Sequence, residues 1–209
     1  MKGVFILKPD FFNEFNFKTF CQLVHEKKIQ IHSLYRINDY YNFCSEYRKY
    51  DIANAIDNRE ELLKELKRTQ FATYTYKTVF TDKRNVGVAI IMDGEGEEFF
   101  NKLLEVKTEM RNIIKANRKI QFYVDIEKNP WEVIKCIKGQ TSNKEYFEKD
   151  NVKIAYLNAI HLEDAEMFNR QICFAFLQKS DTLNKCNKIS FNELKGMCQT
   201  HESVQNYEQ

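Results

Sequence analysis

Short apolar runs alternate with helical repeats over the first half of the chain. Gly3 to Leu7 predicts a buried strand that ends at Lys8-Pro9-Asp10, because proline cannot continue a central ladder. Apolar side chains recur at helical spacing from Phe17 to Val24, and 29–37 alternates imperfectly, as a strand would. The continuous apolar run 86–92 predicts the clearest strand of the sequence. This half therefore predicts β-α-β followed by a further strand.

The second half extends this order. Residues 97–116 carry apolar side chains on one helical face, Val152 to Leu157 predicts another strand, and 163–178 predicts a last helix. The order of the core becomes βαββαβ. This is the pattern of a ferredoxin-like α/β fold, an α+β sandwich in which a four-stranded antiparallel sheet carries helices on one face.

Two segments do not fit this minimal pattern. Residues 40–70 are polar, aromatic and helix-forming, and they predict extra helices. Residues 117–151 predict an insertion, in which Ile120 to Val124 forms a strand and Trp131 to Lys138 a short helix after Pro130, followed by a polar loop over 139–150.

Length and composition favour one intracellular domain. A chain of 209 residues supports one good core, and we expect the domain to span 1–179 and a polar, loosely ordered tail to follow at 180–209. A net charge of +2 gives no reason to expect a nucleic-acid or membrane partner. The apolar run near Met1 is too short for a signal peptide, and the six scattered cysteines favour free thiols, so we expect a cytoplasmic location.

The segment Asn158-Ala-Ile-His161 carries the candidate chemistry. We expect a strand to end and a helix to begin there, which would place the imidazole beside free backbone N–H groups that favour anions. A neutral imidazole can accept a phosphoryl group as a covalent phosphohistidine. A strand-end histidine bonded to a backbone carbonyl is the simpler interpretation. Lys8 favours a catalytic role for His161, because the predicted sheet would bring both residues to the same edge.

Three segments together resemble the nucleoside diphosphate kinase family. Phe5-Ile-Leu-Lys-Pro-Asp10 looks like its first strand, Val88-Ala-Ile-Ile-Met-Asp-Gly-Glu95 its central strand and acidic turn, and Asn158-Ala-Ile-His-Leu-Glu-Asp164 its active-site segment. They occur in the family's order and span most of residues 3–178. The resemblance implies a ferredoxin-like fold, nucleoside di- and triphosphates as ligands with Mg²⁺ bound to the nucleotide, and no metal held directly by the protein.

The resemblance also assigns roles to individual residues. It implies that His161 is the phosphorylated histidine and that Asn158 contacts the ribose and phosphate. It places Lys8 and Thr108 among the phosphate-binding residues. Lys102 stands where the family has an arginine, an exchange that keeps the charge and loses the bidentate fork.

The surroundings of the histidine depart from the family's pattern. Leu162-Glu163 replaces Gly-Ser, which adds bulk and a negative charge next to a site for anionic phosphates. The carboxylate that orients the histidine in the family corresponds to Gln171 if one residue is deleted, and Glu166 could substitute for it.

Two further family features have several candidates each. The family's phosphate-clasping loop is replaced by 109–151, so its second arginine could be Arg111 or Arg118, or its charge could come from Lys149. The aromatic side chain that stacks on the base could be Phe71, Tyr74 or Tyr76, although each is an ordinary core residue as well.

The resemblance predicts a phosphotransferase that moves a γ-phosphoryl group from a nucleoside triphosphate to a diphosphate acceptor through phospho-His161. The alternative is a nucleotide-binding or regulatory module on the same fold without turnover, which Leu162, Glu163 and Gln171 favour. A homo-oligomer is compatible with either function.

Overall fold

The computed structural model describes residues 1–44, 59–60, 85–117, 120–124, 133–138, 146–149, 152–155, 159–164, 166–177 and 186–200. The chain divides into two compact units. The first comprises residues 1–38, 86–116 and 158–209, and the second comprises 39–85 and 117–157. Sequence reasoning expected one domain with an insertion, and the second unit combines the predicted insertion with the segment that follows residue 38.

The first unit is built on a five-stranded antiparallel sheet. Its strands are β1 (Lys2–Leu7), β2 (Gln30–Ile37), β3 (Gly87–Asp93), β8 (Ile160–His161) and β9 (Cys186–Ile189), in the order β8-β1-β3-β2-β9. Its helices are α1 (Glu14–Glu26), α2 (Phe99–Asn117), α3 (Glu166–Leu177) and α4 (Phe191–Thr200), and a 3₁₀ turn covers Pro9–Phe11. This combination of an antiparallel sheet and packed helices confirms the predicted α+β architecture.

The core lies between one face of this sheet and the helices α1, α2 and α4. Alternate strand residues such as Phe5, Leu7 and Ile90 point into it and meet Phe20 of α1 and Leu103 of α2. Phe5 and Phe20 pack edge to face with ring centroids 5.7 Å apart. The opposite face meets α3, where the rings of Tyr35 and Phe176 lie 5.8 Å apart. The sheet therefore has five strands where four were predicted, and helices cover both of its faces where one covered face was predicted.

Asn169 of α3 substitutes for a missing strand beside β1. Its amide accepts a hydrogen bond from the Val4 N–H and donates one to the Val4 carbonyl, both at 2.9 Å. β8 pairs only with Ile6 and Leu7, so the amide satisfies the next backbone groups along that edge. Glycine at position 3 leaves room for this packing, because a Cβ there would lie 2.4 Å from the Leu103 Cδ1 and 3.0 Å from the Asn169 Oδ1.

The second unit contains a four-stranded antiparallel sheet. Its strands are β4 (Ile120–Val124), β5 (Val133–Lys138), β6 (Tyr146–Lys149) and β7 (Val152–Ala155), in the order β5-β4-β7-β6. Of the helices predicted over 40–70, residues 40–44 and 59–60 are helical and the rest lie outside the described residues. In the described part of the chain, no helix is both long enough and apolar enough to cross a membrane.

Several predicted elements are wrong. The polar loop expected over 139–150 contains the strand β6 at Tyr146–Lys149. The strand expected at Val152 to Leu157 belongs to the second sheet as β7, and the two-residue β8 takes its place beside β1. The helix expected over Trp131 to Lys138 is instead β5, where β-branched Val133, Ile134 and Ile137 outweighed the preceding proline.

A further error concerns the C-terminal tail. Residues 186–189 pair with β2 as an edge strand, and the following helix α4 buries Leu194 and Cys198 completely or nearly so. Ser190 begins α4 with a capping box, since its hydroxyl accepts from the Glu193 N–H while the Glu193 carboxylate accepts from the Ser190 N–H. The prediction of a loosely ordered tail therefore fails for residues 186–200.

Candidate functional site

β8 brings His161 next to the end of β1. His161 lies opposite Ile6, and Ile160 lies opposite Leu7. The Lys8 N–H extends this ladder by donating to the Ala159 carbonyl at 2.8 Å. Side chains two apart on a strand share a face, so Lys8 and His161 are diagonal neighbours at one sheet edge, as the sequence predicted.

The entry into β8 is held in an unusual backbone conformation. Ala159 has a φ of 55°, in the left-handed region, and is completely buried. Its N–H donates to the Asp10 carboxylate at 2.8 Å, and its carbonyl accepts from the Lys8 N–H. The Lys8-Pro9-Asp10 turn therefore fixes the residue two positions before the histidine.

Two cationic side chains of α2 occupy the other edge of β8. Arg111 donates to the Ile160 carbonyl through Nε at 3.2 Å and Nη2 at 3.0 Å. Lys107, which is only 5% exposed, donates to the Leu162 carbonyl at 3.3 Å and forms an ion pair with Asp164. These carbonyls flank His161 on either side, so side chains satisfy the edge where a further strand would otherwise pair.

The imidazole of His161 is half-buried next to a carboxylate. Its Nε2 lies 3.5 Å from the Glu163 Oε2, and the two side chains are 24% and 20% exposed. Burial lowers the pKa of His161 to about 4, the charges of Lys8 and Arg111 act in the same direction, and the Glu163 carboxylate opposes them. The imidazole is therefore neutral at pH 7, in its nucleophilic form.

The structure brings together some of the predicted phosphate-binding residues. Lys8 and Arg111 are the cations that act on His161, and Arg111 was one of three candidates for the missing arginine. Lys102 lies nine residues before Arg111 on α2, which places it on roughly the opposite face of the helix. The hydroxyl of Thr108 is exposed and donates to the Leu104 carbonyl. The described contacts therefore do not join Lys102 or Thr108 to the histidine.

Several other candidates cannot be placed. Asn158, Arg118 and the base-stacking candidates Phe71, Tyr74 and Tyr76 lie outside the described residues. Lys149 belongs to the second unit.

The side chain beside His161 is that of Glu163. It is neither Glu166 nor Gln171, the two candidates that the sequence suggested for orienting the histidine. Glu166 forms an ion pair with Arg170, and Gln171 is exposed on α3. Sequence reasoning expected a helix to begin at His161 and counted Glu163 as an unfavourable charge. The prediction of Glu163 as the partner needed an extended chain through His161. Residues two apart in an extended chain point to the same side, which brings Glu163 beside His161. The helix in fact begins at Glu166.

Comparison with protein-family models, with curated proteins and with solved structures finds no match to this chain.

Proposed function

We propose that this chain is a nucleotide-dependent phosphotransferase in which His161 carries the phosphoryl group. The observation that carries the proposal is the grouping of a neutral, partly exposed imidazole with the cations Lys8 and Arg111 and the carboxylate of Glu163. Cations favour the approach of phosphate, a neutral imidazole can attack it, and a carboxylate stabilises the charge that then develops on the ring.

The sheet supports the resemblance on which this function rests. Without β9, its strands run in the order β8-β1-β3-β2, with every neighbouring pair antiparallel. If β8 is counted as the fourth strand, this is the strand order of a ferredoxin-like sheet. We assign the first unit to that fold, with β9 as an added edge strand.

The chemical step follows from the position of Glu163. A carboxylate 3.5 Å from Nε2 favours the tautomer that carries the proton there, which places the lone pair of the ring on Nδ1. Nδ1 attacks the γ-phosphorus, an N–P bond forms, and the bond from phosphorus to the β-phosphate oxygen breaks to release the diphosphate. The positive charge gained by the ring is offset by Glu163. Attack by the acceptor's terminal phosphate oxygen then forms an O–P bond, breaks the N–P bond and returns the electron pair to Nδ1, which regenerates neutral His161.

Lys8 and Arg111 have the role of binding and orienting the phosphates. Both act electrostatically on the imidazole already, so an anion that reaches His161 lies within their field. Mg²⁺ would enter with the nucleotide and neutralise phosphate charge. The resemblance implies that the phosphate oxygens of the nucleotide would hold this ion.

A second candidate function is a nucleotide-binding module that does not turn over. The positions of Lys102 and Thr108 favour it, because neither makes a described contact near His161. Such a module would bind nucleotide through Lys8 and Arg111 and leave the imidazole unmodified.

Incubation with γ-labelled ATP and Mg²⁺ separates the two functions. A phosphotransferase gives an acid-labile, base-stable label on His161 that a nucleoside diphosphate then removes. Lys8→Ala should weaken nucleotide binding, because it loses a charge-assisted phosphate contact. A wild-type protein that binds ATP and never becomes labelled would support the binding module instead.

A further inference from the structure

The edge of β8 that faces away from β1 has a feature that the proposed reaction does not use directly. Alternate backbone groups of an antiparallel edge strand point toward the partner and away from it. In β8 the backbone groups of His161 face β1, whereas the carbonyls of Ile160 and Leu162 face outward. Outward carbonyls on an edge strand are normally left to water.

Here one helix supplies donors to both carbonyls. Arg111 bonds the Ile160 carbonyl with two N–H groups, and Lys107, one turn earlier on α2, bonds the Leu162 carbonyl. Lys107 is also paired with Asp164, whose side chain is 84% exposed. Because Lys107 is almost fully buried, these contacts satisfy a charge that would otherwise be costly to bury.

We propose that Lys107 and Arg111 are positioning residues that clamp the backbone on both sides of His161 and so fix the depth and direction of its imidazole. The term clamp denotes these two side chains on the carbonyls of Ile160 and Leu162. A strand that pairs through only two residues cannot hold a side chain rigidly by its ladder alone. The catalytic part of this inference rests on the proposed function, whereas the structural part does not.

The clamp makes a prediction that is independent of catalysis. Lys8, Glu163 and Arg111 carry charges that act on His161 directly, whereas Lys107 holds the Leu162 carbonyl, so we expect it to influence the imidazole through the backbone. Loosening the clamp should admit water and return the pKa of His161 toward its ordinary value. Lys107→Met removes both hydrogen bonds while keeping the length of the side chain. Arg111→Lys keeps the charge and loses the two-bond grip on the Ile160 carbonyl.

The test is an NMR titration of the His161 ring in the full chain. We expect its pKa to rise by at least about one unit in Lys107→Met, and by less in Arg111→Lys. The matched control is Lys27→Met, which removes a lysine whose ion pairs are with Glu105 and Glu109 of α2. That control should leave the pKa unchanged.

A second readout separates positioning from the proposed reaction. At pH 8.5, where the imidazole is neutral in every variant, labelling by ATP should slow by at least about tenfold in Lys107→Met, with the concentration of ATP for half-maximal rate nearly unchanged. If the wild type is never labelled, the proposed function fails and the titration still decides the clamp. An unchanged His161 pKa in folded Lys107→Met and Arg111→Lys would overturn the clamp, and Arg111→Lys alone decides if Lys107→Met does not fold.

Discussion

The two edges of β1 are satisfied in different ways. Toward β3, six consecutive residue pairs form a backbone ladder from Lys2 to Leu7. Toward β8, only Ile6 and Leu7 pair as strand residues, and the Asn169 side chain completes the hydrogen bonding of this edge at Val4. The short partner strand depends on side chains as well, because Asp10 bonds the Ala159 N–H and Arg111 bonds the Ile160 carbonyl. A backbone ladder tolerates many sequences, whereas an edge completed by side chains depends on each one. The candidate site lies on the second edge, where single substitutions reach it.

The largest expected effect is at Asn169. Asn169→Leu is similar in size but leaves the Val4 N–H and carbonyl buried without their amide partner, because α3 still covers them. We expect the free energy of unfolding to fall by about 2–4 kcal/mol, as measured by urea denaturation. Gln171→Leu, an exposed position on the same helix, should change it by less than about 0.5 kcal/mol. Equal effects for the two substitutions would mean that the amide does not replace a strand.

The pH dependence of stability tests the burial of His161. Its folded-state pKa is about 4 and its ordinary value 6.5, so between these values the unfolded chain binds more protons than the folded one. Stability should therefore rise with pH through this window, by at most about 3 kcal/mol in total, and be unaffected by this group above it. His161→Gln should remove that part of the slope when the two proteins are unfolded in parallel from pH 4 to 7. Identical profiles would show that the imidazole is not buried as described.

The smallest effect compares two residues in the left-handed region. Lys28 has a φ of 56° just after α1 and is exposed, whereas Ala159 has a φ of 55° and is buried at the start of β8. Lys28→Gly should stabilise the protein by about 1 kcal/mol, because glycine adopts this conformation without strain. Ala159→Gly gains the same relief and loses a buried methyl group worth about 0.8 kcal/mol, so its net effect in thermal unfolding should be near zero. A gain at residue 159 equal to that at residue 28 would show that the methyl contributes nothing.

The same contrast explains how far the sequence could predict the structure. β1, β3 and α2 each contain a long pattern of apolar residues, and the burial of those residues determines whether the element is a strand or a helix. Each was predicted close to its observed bounds. β8 has two residues, too few for any period, so the stronger apolar run at Val152 to Leu157 was preferred for its place. β9 and α4 were missed because each buries few apolar side chains.

The local pattern of residues along the chain could predict only part of the candidate site. Lys8 and His161 were predicted to lie at the same sheet edge because each follows a strand. They do lie at one edge of β1, although β8 takes the place of the strand that was expected before His161. The roles of Glu163 and Lys107 depend on β8 being extended and on α2 lying beside it, which are tertiary facts. The negative charge of Glu163, which seems unfavourable in the sequence, thus becomes the partner of His161 in the fold.

Labelling of His161 tests the central claim most directly. The wild-type protein, incubated with γ-labelled ATP and Mg²⁺, should acquire an acid-labile, base-stable phosphate that maps to residue 161 and transfers to a nucleoside diphosphate. His161→Ala should lose the label completely and retain nucleotide affinity within roughly tenfold, because Lys8 and Arg111 still bind the phosphates and one neutral hydrogen bond contributes only about 1 kcal/mol. Full transfer activity in His161→Ala, or a label on another residue, would contradict the account.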